Sequence, residues 1–334
     1  MKCIPFPPDI EWNFSYLRIV KYILQNSTDP HWNMAFDEFA LESLDVDEPV
    51  FYLWQNVPAV IIGLNQSAYA EVNLSFLESH GIILARRVTG GGAVYHDLGN
   101  LNYSIVGPSK DLENAYGRVA DALQQMGIPA SRSGRNDILV DGRKCSGYAK
   151  RLSRDRMMIH GTLMWDVDLE TLTQALAAPG GKLAAAGIAS VRSRVANLKP
   201  FLPQFDSLER FRDALQGILA DGDGEIKLSP AQISEIDRMA DEKFRRWEWI
   251  IGHSPAASFC VRKKFPCGTV EAAYSLRHGV LESLSFQGDF LGNRPADELA
   301  GRLMGKALEA VLEENVQAYF DGLDAQQLYQ FLLQ

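Results

Sequence analysis

Arg86-Arg87-Val88-Thr89-Gly90-Gly91-Gly92-Ala93-Val94-Tyr95-His96-Asp97 places two cations, three successive glycines and several polar groups between two strand-like apolar runs, Ile82 to Val88 and Leu101 to Val106. Glycine lacks the Cβ that keeps a ligand away from backbone N–H groups, and it tolerates positive φ, so such a loop can wrap an anion. Arg87 would then neutralise a phosphate or carboxylate held on that backbone. A glycine run between strands also serves as a plain turn, and residue types alone leave both readings open. A second candidate is Ile138-Leu139-Val140-Asp141-Gly142-Arg143-Lys144-Cys145. Its Asp-Gly pair signals a tight hairpin that puts Arg143, Lys144 and Cys145 on or beside the return strand. Lys144 is there either a solvated hairpin lysine or a fixed charge for an anionic substrate.

The elements around these residues follow from periodicity and breakers. Asp29-Pro30 reads as a helix start, with Trp32, Ala35, Phe36, Phe39 and Ala40 on one face. Val50 to Trp54 and Val57 to Ile62 read as short buried strands, and Asn73 as the cap of a short helix that Gly81 ends. Leu112 to Met126 is amphipathic and stops at Gly127-Ile128-Pro129; Met157 to Trp165 is a strand and Leu169 to Ala177 a helix. Helices then alternate with irregular segments to about Trp249. Beyond Gly252 a three-strand meander is expected (Phe259 to Lys263, Gly268 to Leu276, Gly279 to Phe286), then helices over Ala296 to Leu312 and Ala325 to Leu333. The boundary falls at residues 249 to 253, which divides the chain into 1–248 and 253–334.

Composition sets the class. A chain of 334 residues exceeds what one core usually supports, which favours a large domain plus a smaller one. Its 46% apolar and 22% charged residues are those of a globular protein, and no apolar run approaches the roughly 20 residues that span a bilayer. The first residues show neither a secretory nor a transit pattern, so the expected address is the cytoplasm. The four cysteines are too few and scattered for a disulfide framework, and no pair has C-x-x-C spacing. A net charge of −9 argues against nucleic acid as a partner. One local exception, Arg143 to Arg156, carries Arg143, Lys144, Lys150, Arg151, Arg154 and Arg156 against Asp155 alone. It is either a solvated hairpin or a positive rim that guides an anionic substrate or acidic partner. Neither a Walker phosphate loop nor a G-x-G-x-x-G fingerprint after a strand occurs, which sets the common nucleotide folds aside.

Arg86 to Asn100, RRVTGGGAVYHDLGN, closely resembles the signature segment of the lipoate-protein ligases. Further segments resemble that family in its order: Asp29 to Ala35, Trp54-Gln55-Asn56, Ile62 to Gln66, Gly134 to Ile138, Gly142 to Gly147, His160 to Leu163 and Ser190 to Leu198. Trp247-Glu248-Trp249, Gly252 to Pro255 and Gly288 to Gly292 resemble its small accessory domain. Coverage is roughly residues 27 to 334. The resemblance implies an α+β protein: a mixed-sheet catalytic domain of the biotin/lipoate ligase type and a smaller α+β accessory domain. It implies activation of lipoate or octanoate by ATP and magnesium to lipoyl-AMP. Transfer then follows to a lysine of lipoyl-carrier domains, those of the 2-oxo-acid dehydrogenases and the glycine cleavage H protein, by a monomer.

The same resemblance implies site roles. Lys144 contacts both the acyl carboxylate and the α-phosphate, as a clamp and not a nucleophile; Arg87, Gly91, Gly92, Ala93, Val94, Tyr95 and Asn136 contact the nucleotide. Joining two anions does require cations and N–H donors that favour the transition state. Asp137 either holds magnesium or braces the hairpin, and Val94 and Tyr95 are equally suited to a core. His96 and His160 read as structural residues between strands. Cys145 departs from the aliphatic residue expected after the lysine, and Tyr148 from a small one, which narrows the acyl pocket. A lid over the water-sensitive adenylate is expected at Gly180 to Ser190, and the resemblance implies a domain after Gly252 that swings between the two half-reactions. Two alternatives stay in view. A carrier-dependent octanoyl- or lipoyl-transferase would place a cysteine where this chain has Ser131-Arg132-Ser133, and a non-catalytic lipoate-binding protein would not need Lys144.

Overall fold

The computed structural model describes residues 21–112, 115–133, 136–176, 194–220 and 224–334. The expected lid at Gly180 to Ser190, the Gly134-Arg135 pair and Ser190 to Ser193 lie outside these residues.

Among the described residues ten strands build the first part: β1 (Lys21–Leu24), β2 (Val50–Trp54), β3 (Ala59–Ile62), β4 (Ile83–Arg86), β5 (Val94–His96), β6 (Asn100–Pro108), β7 (Ala130–Ser133), β8 (Asp137–Val140), β9 (Arg143–Ser153) and β10 (Arg156–Met164). Seven of them form one mixed sheet in the order β1-β2-β6-β10-β9-β8-β7, in which only β1 and β2 run parallel. A small sheet of order β4-β3-β5 stands beside it. The strands expected over Val50 to Trp54, Val57 to Ile62, Ile82 to Val88 and Leu101 to Val106 are present as β2, β3, β4 and β6. The glycine loop departs from expectation at its far end. Val94–His96 forms a strand antiparallel to β3, so the loop joins β4 to β5 and closes the small sheet.

The register of the large sheet lays out one face as rows of opposed residues. Trp54 lies opposite Asn102, which lies opposite Thr162; Tyr52, Ser104, His160 and Ala149 form the next row. The helix Pro30–Glu42, capped by the Asp29 carboxylate on the His31 and Trp32 N–H groups, covers this face with Met34, Phe36, Phe39 and Ala40. The opposite face carries Leu53, Leu101, Tyr103, Ile105 and Ile159, buried under the helices Ala115–Gln125 and Leu208–Leu219.

The last part is the expected meander, β11 (Ala257–Phe265), β12 (Gly268–Arg277) and β13 (Val280–Gly288), with the helices Ala296–Leu303 and Ala325–Leu332. One expected helix is broken. The run from Ala296 ends at Leu303, because Gly305 takes φ +72° and donates its N–H to Leu281, while Leu281 donates back to Lys306. A 3₁₀ helix, Leu308–Glu313, comes next. Among the described residues no helix is long and apolar enough to cross a membrane.

Candidate active site

The hairpin β8–β9 turns at Asp141 and Gly142, both at positive φ as a two-residue hairpin turn requires. Its register then slips: Leu139 faces Lys144 but Ile138 faces Ser146, so Cys145 is an extra residue in β9. In a regular strand Lys144 and Gly147 would point to opposite faces; one inserted residue returns them to the same face. Lys144 Nζ therefore lies over Gly147, where a Cβ would sit 2.7 Å from the ammonium. Asp137, directly opposite Gly147, holds that ammonium at 2.7 Å. From behind, Ala196 donates its N–H to the Lys144 carbonyl at 2.9 Å. The bulged Cys145 turns to the opposite face, where it is fully buried and burial pushes its thiol up to about 12. A thiol so held is not a nucleophile.

Across the cleft, the glycine loop is held by buried Arg87. Its guanidinium donates to the carbonyls of Ile61, Gly90 and Gly92 and to the Thr89 hydroxyl, at 2.7–3.2 Å. Burial lowers its pKa to about 10, which still leaves a cation at neutral pH. Gly91, Gly92, Ala93 and Val94 line the cleft with Arg87, Asn136 and Lys144, around a cavity of about 150 Å³. Tyr95 is not among them: alternation along β5 turns Val94 and His96 to the cleft and Tyr95 into the core beside Val60 and Ile62. Asn136 closes the base of the hairpin by donating to the Tyr148 carbonyl at 2.9 Å and accepting the Tyr148 N–H at 3.0 Å. Tyr148 lines the cleft and packs against Tyr116 with the rings tilted at 36° and their centroids 4.1 Å apart.

Sequence reading missed the group that ties the two sides together. Asp37, buried on the first helix, accepts from the Tyr52 and Ser104 hydroxyls (2.7 and 2.9 Å) and bonds His160 Nδ1 at 2.6 Å. His160 Nε2 meets the Thr89 hydroxyl at 2.7 Å, and Thr89 receives Arg87 Nε. This chain runs from helix to sheet to glycine loop, so His160, which also lines the cleft, positions the loop. Asp37 carried no signal beyond being, with Asn33 one turn before it, a polar residue on a largely apolar helix. Part of the basic run is also structural: Arg156 donates to the carbonyls of Ala40, Leu41 and Val46 at the end of the first helix.

Among the described residues no group of three His, Cys, Asp or Glu side chains gathers to hold a metal. The cleft instead offers one lysine, one buried arginine, a bare backbone loop and one carboxylate. A lysine, a buried arginine and a bare backbone loop suit the binding of anions.

The chain matches the lipoyl protein ligase A/B catalytic domain over residues 29–220 and the bacterial lipoate protein ligase C-terminus over residues 254–332. It belongs to the lipoyl protein ligase A/B family. It is 37% identical to lipoate-protein ligase LplJ of Bacillus subtilis over 317 residues, 90% of this chain and 95% of that one. Among solved structures it is similar to a bi-partite lipoate protein ligase studied with its E2 lipoyl domain from Thermoplasma acidophilum, at TM-score 0.64 and 29% identity, covering 71% of this chain and 97% of that one. It is also similar to a lipoate-protein ligase A bound with ATP, at TM-score 0.61 and 28% identity, covering 70% and 99%.

Proposed function

We propose that this chain is an ATP-dependent lipoate-protein ligase whose adenylation step takes place between the glycine loop and Lys144. The reaction joins the lipoate carboxylate to the α-phosphate with loss of pyrophosphate; a carrier lysine then attacks the acyl carbon and AMP leaves. The observation that carries the site assignment is the placement of Lys144: a bulge, a glycine floor and the Asp137 carboxylate fix its ammonium at the edge of the cleft. There it can hold the carboxylate oxygen in line with phosphorus while neutralising both anions, a positioning role that leaves its nitrogen out of bond-making. Arg87, Gly91, Gly92, Ala93 and Val94 take the nucleotide phosphates through loop backbone and buried charge, with Asn136 at the hairpin base; Tyr95 supports that loop from the core.

Asp137 would hold the magnesium that accompanies ATP. A hard cation bound chiefly by phosphates and water needs one or two protein carboxylates, and the half-buried Asp137 is one at the cleft's edge. When bound it would add positive charge where the pyrophosphate departs. On this reading the partners are lipoate and lipoyl domains, which the similarity to a ligase studied with its E2 lipoyl domain supports, and the family resemblance implies those of 2-oxo-acid dehydrogenases and the glycine cleavage H protein. We assign the protein to the cytoplasm as a monomer and divide it at residues 249–253. ATP–pyrophosphate exchange with purified protein tests the reading. Exchange should require lipoate and magnesium and fall at least 100-fold in Lys144→Ala, the scale of removing one transition-state donor. Exchange that is independent of the acid, or unchanged in Lys144→Ala, would defeat it.

A further inference from the structure

Two buried donors face the cleft without an acceptor. The first is His96. Its tautomer is fixed by a chain of amides that starts at a backbone carbonyl. Asn33 Nδ2 donates to the Gln55 carbonyl and to Asn56 Oδ1, both at 2.8 Å, which leaves Asn56 Nδ2 directed at His96 Nδ1 at 3.0 Å. Nδ1 therefore accepts, and the ring proton sits on Nε2. Burial and the Arg87 charge hold the ring neutral, down to about 3. Nε2 has no partner among the described residues, although His96 is 3% exposed and lines the cleft. The second is Asn102, 1% exposed, whose oxygen receives Asn100 Nδ2 at 2.9 Å and whose own Nδ2 is unpartnered. Leaving such donors dry costs a factor of about ten each in any complex that expels their water.

The sheet register says where they stand relative to the reacting end. Asn102 on β6 faces Thr162 on β10, and the Gly147 N–H on β9 reaches the Thr162 hydroxyl, directly under Lys144. Two strand spacings, about 10 Å, separate Asn102 from Gly147. The Trp54 indole stands opposite Asn102 and edge-on to the His96 ring. An acyl chain clamped by its carboxylate at Lys144 thus has its far end at Trp54, Asn102 and His96.

We infer that His96 Nε2–H and the Asn102 amide form a polar end to the acyl channel. They select an acyl group with acceptor atoms at its far end, the cyclic disulfide of lipoate, over a plain hydrocarbon of the same chain length. This rests on the ligase reading for its substrate. Sulfur is a weak acceptor, so the selectivity is near tenfold and not the far larger rejection seen where a strong acceptor is missing.

Calorimetric titration of the full chain with lipoate and with octanoate, without nucleotide, reads it directly. Wild-type protein binds lipoate about tenfold more tightly. In His96→Leu the ratio drops toward one, and in His96→Gln, whose amide nitrogen carries a donor near the place of Nε2, most of it returns. Asn102→Leu, on another strand, lowers the ratio independently and guards against misfolding of one variant. Equal wild-type affinities, or a ratio unchanged in both leucine variants, would overturn the inference. Pyrophosphate exchange on the same proteins separates it from the ligase reading: selective binding without exchange supports the channel end and removes adenylation, and exchange without selectivity does the reverse.

Discussion

Lys144 shows how little separates a surface lysine from a clamp. It is two-fifths exposed, and nothing in its own type distinguishes it from the other lysines of the chain. What distinguishes it is geometry: the bulge at Cys145 that restores its face, the missing side chain at Gly147 and the Asp137 oxygen 2.7 Å away. The resemblance identified the lysine and the Asp-Gly turn identified the hairpin, but the bulge was not legible, because a register slip is a property of the paired strands. The glycine is therefore as testable as the lysine. Gly147→Ala keeps the charge and displaces it, since the new methyl would lie 2.7 Å from Nζ and 2.8 Å from Cε. A flexible side chain yields more readily than backbone, so the protein should fold normally while the ammonium moves by about an ångström. The expected result is a 10- to 100-fold loss in kcat of pyrophosphate exchange with a smaller change in KM for lipoate, the pattern of lost orientation. Wild-type kcat in this variant would show that Lys144 needs no such floor.

Strands and helices meet at His96, where the amide chain links the first helix (Asn33), the end of β2 (Asn56) and β5. Burial and the Arg87 and His160 charges lower the His96 pKa from 6.5 to about 3. The unfolded chain therefore takes up a proton near pH 6.5 that the folded chain refuses until about pH 3, and stability is lost as pH falls through that window. For this one group the loss between pH 7 and pH 4 is on the order of 3 kcal/mol. His31 and His253, lowered chiefly by burial, act with the same sign. Denaturant unfolding at both pH values, compared with His96→Gln, isolates the contribution: the variant should lose markedly less stability on acidification, and equal losses would place the acid sensitivity elsewhere. At this scale local signals read well and pairing did not. Caps and breakers such as Asp29, Asn73 and Gly127 marked element ends because their effect is local. The strands Lys21–Leu24, Val94–His96 and Ala130–Ser133 went unread because they are short and exist through their neighbours in the sheet. The Asp37–His160 bond spans 123 residues, beyond any pattern of spacing.

The two parts of the molecule are joined in two different ways, and the difference bears on how one cleft can both enclose an adenylate and admit a carrier domain. Arg86, fully buried beside Arg87, donates to the carbonyls of Gly63, Leu64 and Gln66 on one side and of Trp249 and Ile250 on the other, and to the Ser254 hydroxyl. Trp249 returns its indole N–H to the Arg86 carbonyl. The segment from Trp249 to Ser254 is thereby fastened to the strand that leads into the glycine loop. Beyond it the contacts are chiefly of another kind: Tyr69, Val72, Leu77 and Ile82 share an apolar cluster with Leu276, Leu299, Leu328 and Phe331, with single hydrogen bonds beside it, from Gln330 to Glu78 at 2.6 Å and from Trp247 and Tyr69 to Glu309 at 3.3 and 3.5 Å. Apolar contact is non-directional and re-forms on any apolar surface, whereas a guanidinium bound to five carbonyls has one geometry. A swing between half-reactions should then pivot at Pro255 and Ala256, leave Arg86 and its carbonyls intact, and part Glu78 from Gln330. Cysteines at 78 and 330, joined by a cleavable bis-maleimide, would hold the last part where it is. Single-turnover assays on a lipoyl domain should show the cross-linked protein completing at most one of the two half-reactions. Cleavage of the linker should restore both, with the singly substituted chains as controls for the native cysteines. Full lipoylation by the locked protein would mean that the cleft serves both steps in one arrangement.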